Sequence, residues 1–179
     1  MMPIGLLMKE HRVIERMIKL MREELQKIAK LKEADVIFID KALDFIRTYA
    51  DRCHHGKEED ILFRDLLKKL LLAEHKKTLD ELIQEHIYAR KTTKSLRDAK
   101  ERYVKGDKEA LNDIKDFIRA LVELYPKHIE KEDKHFFLPV MSYFDKKEQE
   151  AMLCEFGEFD RSLIHEKYKA IVKDIENKK

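Results

Sequence analysis

Glycine and proline are scarce, 4 and 3 in a chain of 179 residues. An all-β fold or an extended disordered chain needs far more turn punctuation, so both classes are excluded. Cysteine is nearly as rare. Cys53 and Cys154 stand alone and far apart, with no CxxC spacing, so neither a disulfide framework nor a zinc knuckle is expected, and a cytoplasmic setting is. No apolar run approaches the ~18 residues of a membrane span, and the opening stretch MMPIGLLMKEHRVIE turns charged too soon for a signal-peptide core. Charge of one sign is also missing: 38 Lys and Arg face 36 Asp and Glu, alternating along the chain. No nucleic-acid partner and no membrane partner is therefore expected.

What is present is 44% hydrophobic and 41% charged residues, the make-up of amphipathic helices with heavily charged outer faces. A helical period runs nearly throughout, and punctuation divides it into five segments. The first follows Pro3 through Leu7, Ile14, Ile18, Met21, Leu25 and Ile28. Asp35 is the expected N-cap of the second, which carries Ile39, Leu43, Ile46 and Ile61 to about Leu72, with a bend at Gly56. The third runs from about Thr78 to Val104, closed by Gly106, and Asp107 opens the fourth, which ends near Pro139. Asp145 with Glu148 reads as a capping box for the last segment, split at Gly157. The expected fold class is all-α, an up-and-down four-helix bundle with an additional C-terminal helix. It forms a single domain over residues 1–179, with the bundle at about 3–140 and the C-terminal segment at about 145–176.

The eight histidines are not scattered. At about 100° per residue, His11 lies about 60° from Ile14, within the apolar stripe of the first helix. His86 shares the stripe of Leu79, Leu82 and Ile83, and His128 and Glu132 lie within about 20° of Leu121. His54 and Glu58 lie about 40° and 80° from Ala50, whereas His55 and Glu59 point outward, a pair on the outer face or one supporting the donors from behind. Each long helix thus puts a histidine on its buried face, and two helices add a glutamate four residues later. Residues i and i+4 are neighbours on a helix, so His-x-x-x-Glu offers a nitrogen and an oxygen to one cation or to two adjacent ones. A lone ionised glutamate inside a bundle costs several kcal/mol, which a cation between two carboxylates removes. The two units also repeat: aligned on His54 and His128, both read H-x-x-K-E-[ED]-x-x-[LF]-F.

The stretch YADRCHHGKEEDILF, Tyr49 to Phe63, resembles the second-helix signature of the hemerythrin-like, HHE cation-binding family. Glu85-His86 followed by Arg90 resembles its third-helix element and HIEKEDKHFFLP its fourth. His165-Glu166-Lys167-Tyr168 resembles a C-terminal helix of one prokaryotic branch. This resemblance spans nearly the whole chain. It implies a non-haem di-iron centre with bridging carboxylates, held by His11, His54, Glu58, His86, His128 and Glu132. Oxygen-carrying members use five histidines, whereas this chain has Arg90 where a second third-helix histidine would stand. It also has His-x-x-x-Glu where they use His-x-x-x-x-Asp. The missing imidazole argues against reversible oxygen carriage. It leaves a position open, or filled by water, His135, Tyr49, Tyr168 or His165.

Two iron ions are thus the implied cofactor; imidazole and carboxylate without thiolate suit iron or manganese, and affinity order alone does not set zinc aside. The expected function is binding of O2 or a related small ligand (NO, peroxide) for sensing, storage or redox protection, with an electron donor as partner. Two other classes stand beside it. A di-iron enzyme, peroxidase- or NO-reductase-like or an agent of iron-centre repair, would need an acid–base pair that the sequence does not display. An iron-responsive regulatory module would fold with its metal, yet the chain is nearly all bundle, with no output domain.

Overall fold

The computed structural model describes residues 2–176, and side chains through residue 163. No strand occurs among the described residues. Helix α1, Ile4–Leu31, ends where Lys32 turns left-handed (φ 59°) and returns its N–H to the Ile28 carbonyl. Asp35 caps the next helix as expected, accepting from the Phe38 N–H at 3.0 Å. The buried Glu24 of α1 accepts from the Asp35 N–H, also at 3.0 Å, and so fixes the connection.

Helix α2 covers residues 36–66 and is composite. An α-helical start, Val36–Phe45, widens into π-helical turns over Ile46–His55 and Glu58–Phe63 before closing at Arg64–Leu66. Helix α3 is Ala73–Val104, longer at its start than the expected Thr78, and Gly106 (φ 97°) closes it. Helix α4 covers residues 110–140, with a π-helical turn at Glu132–Phe136, and runs into a 3-10 turn at Met141–Tyr143. The Asp145–Glu148 capping box forms reciprocally: the Asp145 N–H donates to Glu148 at 2.9 Å and the Glu148 N–H to Asp145 at 2.8 Å. Helix α5, Lys146–Glu176, is unbroken at Gly157. A single glycine costs a helix only ~1 kcal/mol and does not end it.

Helix α4 packs on α1 and α3, and α2 packs on α3 and α1, which closes a four-helix ring; α5 lies outside, against the later part of α2. The apolar core comes in two clusters. One gathers around Ile14, Ile18, Ile39, Leu96, Ile118 and Leu121, the other around Leu7, Phe63, Leu82, Phe136, Phe137 and Phe156. Between them, all four ring helices place polar residues inside: His11, His54, His55, Glu58, His86, His128 and Glu132 are all buried. Core helices give up apolar contact at one level only for a reason.

Candidate metal centre

The polar layer is built of two groups that share Glu58. His11, His54, Glu58 and Glu132 bring one ligand atom each within 4.8 Å of one another, and so do His55, Glu58, His86 and His128. Glu58 Oε1 lies 3.3 Å from His54 Nε2 and its Oε2 3.4 Å from His86 Nε2, so one carboxylate spans both groups. Glu132 Oε2 stands 3.2 Å from His11 Nε2 and 3.3 Å from His128 Nε2. All six residues expected from the sequence therefore meet in one place.

A ring of carboxylates surrounds them. His11 Nδ1 bonds Asp133 (2.7 Å), His54 Nδ1 bonds Glu10 (2.9 Å), His86 Nδ1 bonds Glu59 (2.6 Å) and His128 Nδ1 bonds Glu85 (2.8 Å). Each brace comes from the preceding helix of the ring, so the four contacts close a circle. An ionised carboxylate only accepts, so each of these Nδ1 atoms carries a proton and Nε2 is left as the nitrogen that faces inward. Every brace is held in turn by a cation from the histidine's own helix. Arg12 pairs with Asp133, Lys57 with Glu10, Arg90 with Glu59 (2.7 Å) and Lys131 with Glu85 (2.7 Å). Burial works against charge on Glu59 and Glu85, yet these partners hold both carboxyls below the ordinary range.

At the centre the charges are left unresolved. Burial and the Glu132 charge push Glu58 well above the usual carboxyl range. Burial and neighbouring positive charge keep the His54 and His55 imidazoles neutral. Burial also lowers His86, partly offset by Glu59. Burial would lower His11 too, but Asp133 and Glu132 raise it to about 9. Among the described residues, ten buried side-chain nitrogens and oxygens have no hydrogen-bond partner. Eight of them are His11 Nε2, His54 Nε2, both nitrogens of His55, and both oxygens of Glu58 and Glu132. Buried polar atoms are normally satisfied, and lone pairs facing one another across a dry core repel. Cations between them supply what is missing, so the donor set fits a dinuclear metal centre of nitrogen and oxygen ligands.

His55 departs from the sequence expectation: it is buried in the second group, not turned outward. A π-helical turn bonds i to i+5, so successive residues advance by less than ~100°, and His54 and His55 both fall on the inner face. Nothing in the periodicity marks such a turn; the doubled histidine was the only signal. Glu59 does sit outside the centre, as the brace of His86. The side chains offered for the missing imidazole fare differently. His135 is exposed, Tyr49 stacks on Phe45 (5.0 Å between ring centres) beside Glu10, Cys53 and Lys57, and His165 and Tyr168 lie outside the described side chains. Arg90, where a further imidazole would stand, is a clamp that also bonds Asp51 at 2.7 Å. A third gathering, Glu10, Cys53 and Asp160, is neutralised by the Lys57 ammonium, 2.7 Å from Asp160 and 3.5 Å from the Cys53 sulfur. Burial pushes the Cys53 thiol up to about 12, so it stays protonated.

The family model described as "Hemerythrin HHE cation binding domain" matches residues 2–138 and, a second time, residues 77–176. No curated protein and no solved structure matches the chain.

Proposed function

Because this chain belongs to the hemerythrin HHE cation-binding domain family, and so is a metal-binding protein, we propose that its centre holds two iron ions and takes O2, or a related small ligand such as NO or peroxide, for sensing, storage or redox protection. The observation that carries the reading is the set of eight unpartnered buried donor atoms in two groups that share Glu58. Bound iron would supply a change of oxidation state coupled to binding of the small ligand.

The residues divide that work. His55, His86 and His128 with Glu58 give one position three imidazoles; His11 and His54 with Glu58 and Glu132 give the other two. An outside ligand would enter at the position with fewer imidazoles. His55 thus supplies a fifth imidazole in place of the one absent at Arg90, so five histidines meet at the centre. The carboxylate ring fixes four of the five imidazoles, all but His55, in the ligating tautomer and holds their protons at Nδ1, away from the centre. The two apolar clusters on either side keep water out, with Phe137 stacked on His11 at 5.6 Å between ring centres. Among the described residues no other acid–base pair faces the centre, which favours a binder over a hydrolytic or group-transfer enzyme.

Metal analysis and a visible spectrum of the purified chain, before and after air exposure, test the reading. The expected result is two irons per chain and charge-transfer bands that bleach with dithionite. Colourless protein carrying only zinc would overturn it. Steady-state assays with peroxide and NO then separate a binder, which shows no turnover, from a catalyst.

A further inference from the structure

Between α2, α3 and α4 lies a cavity of about 120 Å³ that has His55 in its wall. Four cationic side chains line it, Arg47, Arg90, Lys94 and Arg97, against one carboxylate, Asp51. Arg90 already neutralises Asp51 and reaches on to Glu59, and Arg97 pairs with its neighbour Asp98 at 3.1 Å. Arg47 and Lys94 have no ion-pair partner among the described residues. The wall also holds two unsatisfied groups. Tyr125, 2% exposed, has a hydroxyl without a hydrogen-bond partner. His55 Nδ1 stands 3.5 Å from Asp51 Oδ1 and is likewise unbonded.

An idle buried hydroxyl beneath uncompensated positive charge is a binding site's signature more than a core's. A cation would be repelled there, and an apolar guest would leave the hydroxyl unpaired. We propose that the cavity binds a small oxyanion, apart from the metal positions: the Tyr125 hydroxyl donates to it, and Arg47 and Lys94 supply the opposing charge. Its volume is below the ~150 Å³ of a cavity that accepts benzene, which limits the ligand to the size of phosphate, nitrite or a short carboxylate. Nucleotides and peptides are too large. Because His55 also belongs to the metal centre, an anion held here lies one imidazole away from it.

Tyr125, Arg47 and Lys94 are not among the metal donors, so this site and the metal reading fail separately. The test is calorimetric titration of inorganic phosphate into the metal-loaded chain, with acetate and nitrite in parallel to tell the oxyanion classes apart. One ion should bind per chain, more weakly as sodium chloride rises. Tyr125→Phe and Lys94→Met should each weaken binding about tenfold or more, with metal content unchanged. Titration of none of the three anions, or binding that both variants leave intact, would overturn the proposal; the second result would place the anion on the metal or at the surface.

Discussion

Single side chains carry the chemistry here, and six of the seven inner donors were legible as polar residues on apolar stripes. His55 was not, since its inward turn depends on backbone winding. His55→Ala should therefore lower metal content toward one ion per chain, whereas His135→Ala, at an exposed position, should leave it at two; elemental analysis decides, and an unchanged His55→Ala would remove it from the donor set. Of the braces only Glu59 was expected in a supporting place; the other three were missed, though each sits beside a donor in sequence: Glu10 before His11, Glu85 before His86, Asp133 after Glu132. Glu59→Gln keeps the shape but lets either tautomer of His86 form, and metal affinity should fall ~10–100-fold by competition with a chelator. Proton linkage gives a further expectation for the metal-free chain. His54, His55 and His86 lie below their ordinary value, chiefly through burial. Their contribution is full above the unfolded ~6.5 and is lost as pH falls below it. Two groups run the other way: His11, raised to about 9, and Glu58, raised by burial and by Glu132, contribute at low pH and lose it as pH rises. Stability of the chelated protein should thus peak near pH ~6 and decline on both sides. Thermal melts from pH 5 to 8 would show it; a profile that only falls would contradict the burial of three neutral imidazoles, and one that only rises would contradict the raised His11 and Glu58.

Among the helices, those whose ends obey capping rules were readable in advance. Asp35 and the Asp145–Glu148 box do what their types and spacings dictate. Windings were not readable, because a π turn has no composition of its own and is kept only where tertiary contacts reward it. Such turns hold His54, His55, Glu58 and Glu132. Gly56, expected to bend α2, serves packing instead: a Cβ there would come within 2.6 Å of Phe159 Cζ. Helix α5 thus approaches α2 at the level of the metal donors, with the Arg64–Glu155 pair (2.6 Å) and the Lys57–Asp160 pair (2.7 Å) beside it. Two effects oppose each other in Gly56→Ala. Alanine gains up to ~1 kcal/mol of helix propensity, and overpacking against the ring costs ~1–3 kcal/mol. The substitution should destabilise the parent by about 1 kcal/mol but stabilise a Phe159→Ala background, where only propensity remains. Denaturation of the four proteins reads that change of sign; equal effects in both backgrounds would mean that the contact is immaterial.

Across the whole molecule, the repeat seen as H-x-x-K-E-[ED] extends further than the sequence alone indicated. Glu10-His11 answers Glu85-His86, and His54, Lys57, Glu58 and Glu59 answer His128, Lys131, Glu132 and Asp133. Donor, brace and brace-holding cation thus recur in each half, in keeping with a family model that matches twice over overlapping spans. Among the inner donors the symmetry breaks at one point, His55 against Ile129, and that difference makes the two metal positions unequal. The same layer divides the apolar core in two, so metal ions bound across it tie together clusters that otherwise meet a plane of unpartnered polar atoms. Ligands that bind only the folded state stabilise it by mass action, ~4 kcal/mol for each at a thousand times its dissociation constant. For a chain of this length that is roughly 8–16 °C in melting temperature. Chelation should therefore lower the midpoint by at least about 8 °C and also broaden the transition, because the α3–α4 end and the α5 end of the bundle then lose their shared centre. Calorimetry distinguishes the two effects: a shift alone, with calorimetric and van't Hoff enthalpies still equal, would show that the helices couple the clusters without help from the metal.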